Sequence, residues 1–106
     1  MSNKTISVAV DFSPSPAGRY RSDGPYPGEA FREDLLLPAL RAHESVTVEF
    51  DGTDGFGSSF LEEAFGGLVR EGFTEEMLRR RLHIKSSRRS YEARVWGYIQ
   101  TGGAKH

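Results

Sequence analysis

The stretch FDGTDGFGSSFLEEAFGGLVREG, residues 50–72, decides the fold because it joins two different periodicities through a glycine-rich corner. Directly before it, Val46 and Val48 alternate with polar residues, which is typical of a strand with one buried face. After the corner, apolar residues recur on one helical stripe, namely Phe60, Leu61, Ala64, Phe65, Leu68 and Val69. The stretch therefore predicts a strand that turns sharply into an amphipathic helix.

The residues of this helix indicate how it begins and how closely it packs. Ser59-x-x-Glu62 matches a capping box, in which the serine accepts a hydrogen bond from a first-turn amide and the glutamate reaches back. Glu62 and Glu63 lie off the apolar stripe. Gly66 and Gly67 each cost a helix about 1 kcal/mol relative to alanine, so we expect another backbone, of the sheet or of a partner, to approach closely there.

Outward from this stretch, three more segments have strand patterns. TISVAVDF at 5–12 alternates apolar with polar or small side chains, and LHIKSS at 82–87 places Leu82 and Ile84 on one face. RYR at 19–21 follows a proline- and glycine-rich turn and fits a short edge strand that completes a hairpin. Together these segments predict a small mixed sheet of four to five strands, with its second face at least partly exposed to solvent.

Helical patterns separate the strands. One helix is predicted from Glu29, with a kink or break at Pro38, whose ring blocks one backbone hydrogen bond. Thr74 is the predicted N-cap of a short helix. A last helix over 90–100 would lead into a frayed tail at 102–103. Right-handed crossovers would then place the helices mainly on one face of the sheet, in an α/β architecture.

Length and composition bound the class of protein. The 106 residues suit one domain, residues 1–106, and the absence of cysteine excludes disulfides and thiolate metal sites. The polar start MSNKT is not a secretory signal, and no apolar run approaches the roughly 20 residues of a membrane span. We therefore expect a cytoplasmic protein without a membrane segment.

The net charge of −1 conceals two halves of opposite sign. Residues 1–78 carry 14 acidic and 6 basic side chains, whereas residues 79–106 carry 8 basic side chains and 1 acidic side chain. Such asymmetry can mark a partner surface or a nucleic-acid footprint, but we expect the two halves to neutralise each other across the folded surface. Only Tyr91 and Trp96 accompany the basic run, so nucleic-acid binding is not favoured. That run consists of Arg79, Arg80, Arg81, Lys85, Arg88 and Arg89.

A strand, an acidic glycine-bearing turn, a Ser-Ser pair and an amphipathic helix resemble the layout of STAS domains, the fold of the anti-sigma-factor antagonists. DGTDGFGSSFLEEAFGGLVR at 51–70 more closely resembles a bacterial STAS-like family of unknown function. The sequence also resembles that family in three further motifs, which are DFSP at 11–14, Gly-Glu-x-Phe-Arg at 28–32 and LLPAL at 36–40. The resemblance covers nearly the whole chain and implies a STAS-like fold and a bacterial signalling role.

In the antagonists, a partner kinase with a histidine-kinase-type ATP fold phosphorylates the first serine of an Asp-Ser-Ser-Gly motif. Gly57-Ser58-Ser59-Phe60 occupies those positions here, so the resemblance implies Ser58 as a possible phosphoacceptor. Gly57 replaces the aspartate and Phe60 replaces the glycine. The alternative is that Ser58 and Ser59 only cap the helix.

No pattern typical of catalysis or metal binding stands out. His43, His83 and His106 lack metal-ligand spacing, and the corner glycines match neither the P-loop nor the dinucleotide fingerprint. Asp51 and Asp54 are interpreted as structural turn residues rather than a carboxylate pair. We predict a module that is not an enzyme and that needs no cofactor or metal.

The predicted partner is another protein, and the resemblance implies a histidine-kinase-like ATPase or a regulator. A nucleotide- or phosphate-binding module is the alternative that does not need a protein partner. The oligomeric state does not follow from the sequence. The predicted contact surface at the corner comprises Asp54, Gly55, Phe56, Gly57, Ser58, Ser59 and Phe60.

Overall fold

The computed structural model describes residues 2–102, and three strands within that range form one parallel sheet. The strands lie side by side in chain order, so each connection between them is a crossover through helices. The strands are β1 (Asn3–Ser7), β2 (Ser45–Glu49) and β3 (Leu82–Lys85).

One face of this sheet is apolar and carries the hydrophobic core. Ile6, Val48 and Ile84 lie in register across the three strands, and Val46 lies beside Leu82. All of them are buried except Ile84, which packs against the core. The opposite face is polar and wholly or partly exposed, as the alternation predicted; its residues include Thr5, Thr47, Glu49, His83 and Lys85.

The helices between and after the strands form two continuous rods, each built from successive helical segments, and two single helices. The first rod is α1 (Gly28–Phe31), a π-helical segment (Arg32–Leu36) and α2 (Leu37–Ala42); the second is α3 (Ser58–Leu61), a π-helical segment (Glu62–Gly66) and α4 (Gly67–Arg70). Then follow α5 (Glu75–Arg81) and α6 (Arg89–Gly102). The junctions keep right-handed helical dihedral angles, also beside Pro38. None of these helices, within the described range, is long and apolar enough to cross a membrane.

The first predicted strand is too long, because its second half turns into a helical loop. β1 ends at Ser7, and residues Val8–Phe12 form a π-helical turn. The Asp11 carboxylate accepts a hydrogen bond from the Ser7 amide at 2.8 Å, and the Ser7 hydroxyl accepts one from the Val10 amide at 3.2 Å. These side chains take the backbone amides that would otherwise form hydrogen bonds with a neighbouring strand, so the strand ends there.

The predicted edge strand at 19–21 is also wrong. The Asp23 carboxylate accepts hydrogen bonds from the amides of Arg19 (3.1 Å) and Tyr20 (2.8 Å), which closes a 3-10 turn at Arg21–Asp23. No hairpin forms, so the described sheet has three strands rather than four to five. It is also parallel throughout rather than mixed.

Two glycines let the second rod and α6 meet backbone to backbone. A Cβ atom on Gly102 would lie 2.5 Å from the Gly66 carbonyl oxygen, which is far inside van der Waals contact. The close approach predicted at Gly66 is therefore confirmed, with α6 rather than the sheet as the neighbour. Gly102 is buried and helical instead of frayed, while Gly103 lies outside the described residues. The N-cap predicted at Thr74 is confirmed, because its hydroxyl accepts a hydrogen bond from the Met77 amide at 3.1 Å.

Candidate functional site

The corner lies at the carboxyl end of β2, and two carboxylates tie it to neighbouring loops. Asp54 accepts a hydrogen bond from the Ser15 hydroxyl at 2.5 Å, and its amide donates to the Pro14 carbonyl at 2.8 Å. Asp51 accepts hydrogen bonds from the Ser87 amide (3.0 Å) and hydroxyl (2.9 Å). Both aspartates are thus structural, although they bind other loops rather than their own turn.

Two phenylalanines of the predicted contact surface are anchors of the corner and not part of its surface. Phe56 and Phe60 are 8% and 1% exposed, and their ring centroids lie 5.5 Å apart. Phe56 also contacts Phe50 at 4.5 Å and Tyr91 at 5.3 Å between ring centroids. Because both rings belong to the core, only the residues between and before them are available to a partner.

The two serines lie on the outside of this anchored corner. Ser58 and Ser59 are exposed, and their hydroxyls form no hydrogen bond with residues 2–102. Gly57 is the N-cap of α3, so the predicted capping role of Ser59 is wrong and the capping box does not form. Ser58 is the first helical residue, where backbone amides lack intrahelical partners.

Glu62 does not reach back to cap α3 because it belongs to a buried charge network. The network consists of Glu62 and Glu63 of the second rod, with Arg19, Arg32 and Arg70. Glu62 Oε2 lies 2.8 Å from Arg70 Nη1, and Glu62 also pairs with Arg19. Glu63 Oε2 lies 2.8 Å from Arg32 Nη1. Both glutamates are buried. The second rod is therefore packed on two sides, by its apolar stripe against the core and by these glutamates against the arginines.

The network makes folding stability depend on the ionisation of Glu62. Burial opposes ionisation, but hydrogen bonds and charges from Arg70 and Arg19 outweigh it and hold the pKa of Glu62 below its ordinary value. The stabilisation by ionised Glu62 is therefore complete above the unfolded-state pKa of about 4.3 and is lost as pH falls through the lower folded-state pKa.

We expect the Glu62→Gln variant to lose less stability than the parent chain when the pH is lowered from neutral to below that range. The amide cannot take up the proton, so its contribution to the pH dependence disappears. Urea unfolding at a series of pH values measures this slope. Parallel pH profiles for the two proteins would contradict the assigned role of Glu62.

A cleft of about 250 Å³ opens beside the corner, between the loop after β2 and the loop after β3. Asp51, Asp54, Ser87, Arg88 and Tyr91 are among the residues that line it. Hydrogen bonds from Ser87 hold the pKa of Asp51 below its ordinary value, so this carboxylate is ionised at neutral pH. The lining thus contains the two carboxylates of Asp51 and Asp54 but one arginine, Arg88, and this charge balance does not favour phosphate binding. In open α/β sheets, ligands bind in a crevice where the strand order reverses. The order of the three described strands follows the chain without a reversal, so their sheet has no such crevice.

Comparison with known families assigns the fold that the corner predicted. The family described as STAS-like domain of unknown function (DUF4325) matches residues 27–92, from the first rod to the start of α6. The matched segment includes β2, the corner with Ser58 and Ser59, the second rod and β3. No curated protein and no solved structure matches the chain. The match extends over more than half of the 106 residues, and the chain belongs to this STAS-like family of unknown function.

Proposed function

We propose that this protein is a cytoplasmic bacterial signalling module that acts by binding another protein, and not as an enzyme. The observation that carries the proposal is the pair of exposed hydroxyls of Ser58 and Ser59, which have no hydrogen-bond partner in the described part of the chain. They lie between the buried rings of Phe56 and Phe60. Exposed polar groups on a rigid support suit recognition, since little conformational entropy is lost on binding. The resemblance to the anti-sigma-factor antagonists favours a histidine-kinase-type ATPase or a regulator as the partner.

A photoreactive residue at the corner tests this proposal in the native host. We expect p-benzoylphenylalanine at position 58 to form a discrete crosslinked product with one protein. The same substitution at Asn3, which is exposed at the amino end of β1, serves as the control. Crosslinking that is absent at position 58, or identical at both positions, would contradict binding at the corner.

A phosphoacceptor switch on Ser58 is the second candidate. Its support is the location of Ser58 at the first position of the second rod, where free amides and the positive end of the helix dipole favour a phosphate. The partner identified by crosslinking separates this function from plain binding. Incubation with that partner and ATP would phosphorylate the parent chain and the Ser59→Ala variant but not Ser58→Ala. If the protein binds the partner but Ser58 is not phosphorylated, the result supports a binding module and contradicts the phosphoacceptor switch.

A nucleotide- or phosphate-binding module receives less support. Its natural place would be the cleft beside the corner, where Asp51 and Asp54 would repel a phosphate. Any ligand there would have to rely on Arg88 and on the amides of the corner. A panel of nucleotides that leaves the melting temperature unchanged would remove this alternative.

A further inference from the structure

Few basic residues of the C-terminal segment form ion pairs with the acidic half. The buried glutamates pair within their own half, as do Glu33 and Asp34, which pair with Arg21. Among the described residues, ion pairs between the halves join only Arg79 to Glu75 and Lys85 to Glu49. Within residues 2–102, most basic side chains of this segment therefore have no carboxylate at ion-pair distance.

Three exposed arginines of this segment have no carboxylate partner among the described residues. Arg80, Arg88 and Arg89 are exposed and form no ion pair with any residue in the range 2–102. Arg80 lies in α5, Arg89 is the first residue of α6 and Arg88 directly precedes it. Guanidinium groups bind carboxylates with two parallel hydrogen bonds, so unpaired exposed arginines are suited to an anionic partner.

A groove beside these residues, which we call the arginine groove, provides a place for such a partner. It has a volume of about 600 Å³ and is lined by Arg79, Arg89, Glu92, Ala93 and Trp96. Trp96 packs against the hydrophobic core, and the Arg79 guanidinium carbon lies 4.2 Å from the centre of its ring. Arginine and tryptophan are the residues that most often dominate binding energy at protein interfaces.

We propose that the arginine groove binds an acidic segment of a partner protein, which adds a contact surface to the one proposed at the corner. None of the groove residues belongs to Asp54–Phe60, so the two surfaces can be tested separately. Charge complementarity defines the occupant as a polypeptide rich in Asp and Glu. In the groove, Arg89 has no ion-pair partner among the described residues and is available to a carboxylate of the segment, whereas Arg79 would share its guanidinium with Glu75.

Nucleic acid fits this groove less well, although it carries the same sign of charge. Trp96 packs against the core and the Arg79 guanidinium lies over its ring, so a stacking base would compete with Arg79 for that face. Glu92 places a carboxylate in the lining, which repels phosphates and carboxylates alike but can accept hydrogen bonds from peptide amides.

The fluorescence of Trp96, the only tryptophan in the chain, reports directly on the groove. We expect a short oligoglutamate peptide to change this fluorescence saturably at low salt, and to bind more tightly than oligothymidylate of equal charge. Arg89→Glu should weaken oligoglutamate binding about fivefold, as expected for reversal of one exposed charge. Glu92→Gln should leave the affinity unchanged or increase it.

Lys4→Glu makes the same change of net charge at an exposed position of the edge strand β1, which does not line the groove, and is the matched control. An equal loss of affinity in Lys4→Glu and Arg89→Glu would overturn the proposal, because attraction would then depend only on net charge. Tighter binding of oligothymidylate would overturn it in favour of nucleic acid. A fluorescence signal that neither polymer changes would also overturn it. Circular dichroism establishes that each variant is folded.

Discussion

Replacing Glu63 with methionine is expected to destabilise the protein by about 3–5 kcal/mol, the largest effect of a single substitution that we predict. Glu63 is the nearest carboxylate to Arg32, whose side chain is only 7% exposed. Methionine fills a similar volume but leaves the guanidinium in the interior with no carboxylate closer than 3.6 Å. Glu71 at 3.6 Å and Glu33 at 3.8 Å are 35% and 41% exposed, so they compensate the charge only in part. A buried charge that has lost its nearest partner costs more than the intact pair contributes. Urea unfolding followed by Trp96 fluorescence measures the loss.

Two further variants distinguish burial of charge from loss of the glutamate itself. Glu75→Met removes an ion pair of the same kind, with Arg79 at 3.1 Å, but both side chains are more than 40% exposed, so the expected cost is below about 1 kcal/mol. Arg32→Met combined with Glu63→Met should be more stable than Glu63→Met alone, because no charge is left behind. A double variant that is less stable than the single one would show that the pair acts by something other than charge compensation.

The burial of these glutamates did not follow from the sequence because periodicity reveals only where apolar residues gather. Glu62 and Glu63 lie off the stripe, and the stripe contains no information about a second layer on the other side. Gly67 held the missing signal: a side chain there would collide with the Arg32 guanidinium. A glycine pair beside a glutamate pair on one helix could have predicted that the polar side was covered.

The parts of the fold that the sequence predicted well are those where local pattern and tertiary environment agree. β2, the corner and the apolar stripe of the second rod were predicted because alternation, glycine and helical spacing follow each other without conflict. The errors fell where short polar side chains take over backbone hydrogen bonds, at Asp11 and Asp23. The serine pair was correctly expected at an accessible junction, although Gly57 rather than Ser59 begins the helix.

Replacing Gly28 with alanine is expected to destabilise the protein by about 1–3 kcal/mol and to displace the corner. Gly28 begins α1, and a Cβ atom there would lie 2.5 Å from the Phe60 carbonyl oxygen and 3.1 Å from the Ala64 amide nitrogen. Both are backbone atoms, so no side-chain rotation can relieve the contact. The first rod must move away from α3, which carries Ser58 and Ser59.

Gly97→Ala in α6 is the matched control, because nothing lies within 4 Å of the position a Cβ would take there. Alanine favours the helical state there, so this variant should gain up to about 1 kcal/mol, opposite in sign to Gly28→Ala. If the corner is the contact surface, Gly28→Ala should also reduce crosslinking at position 58 under conditions where the variant remains folded. Equal stabilities for the two variants would mean that the first rod does not fix the position of α3, and the corner would then lose its rigid support.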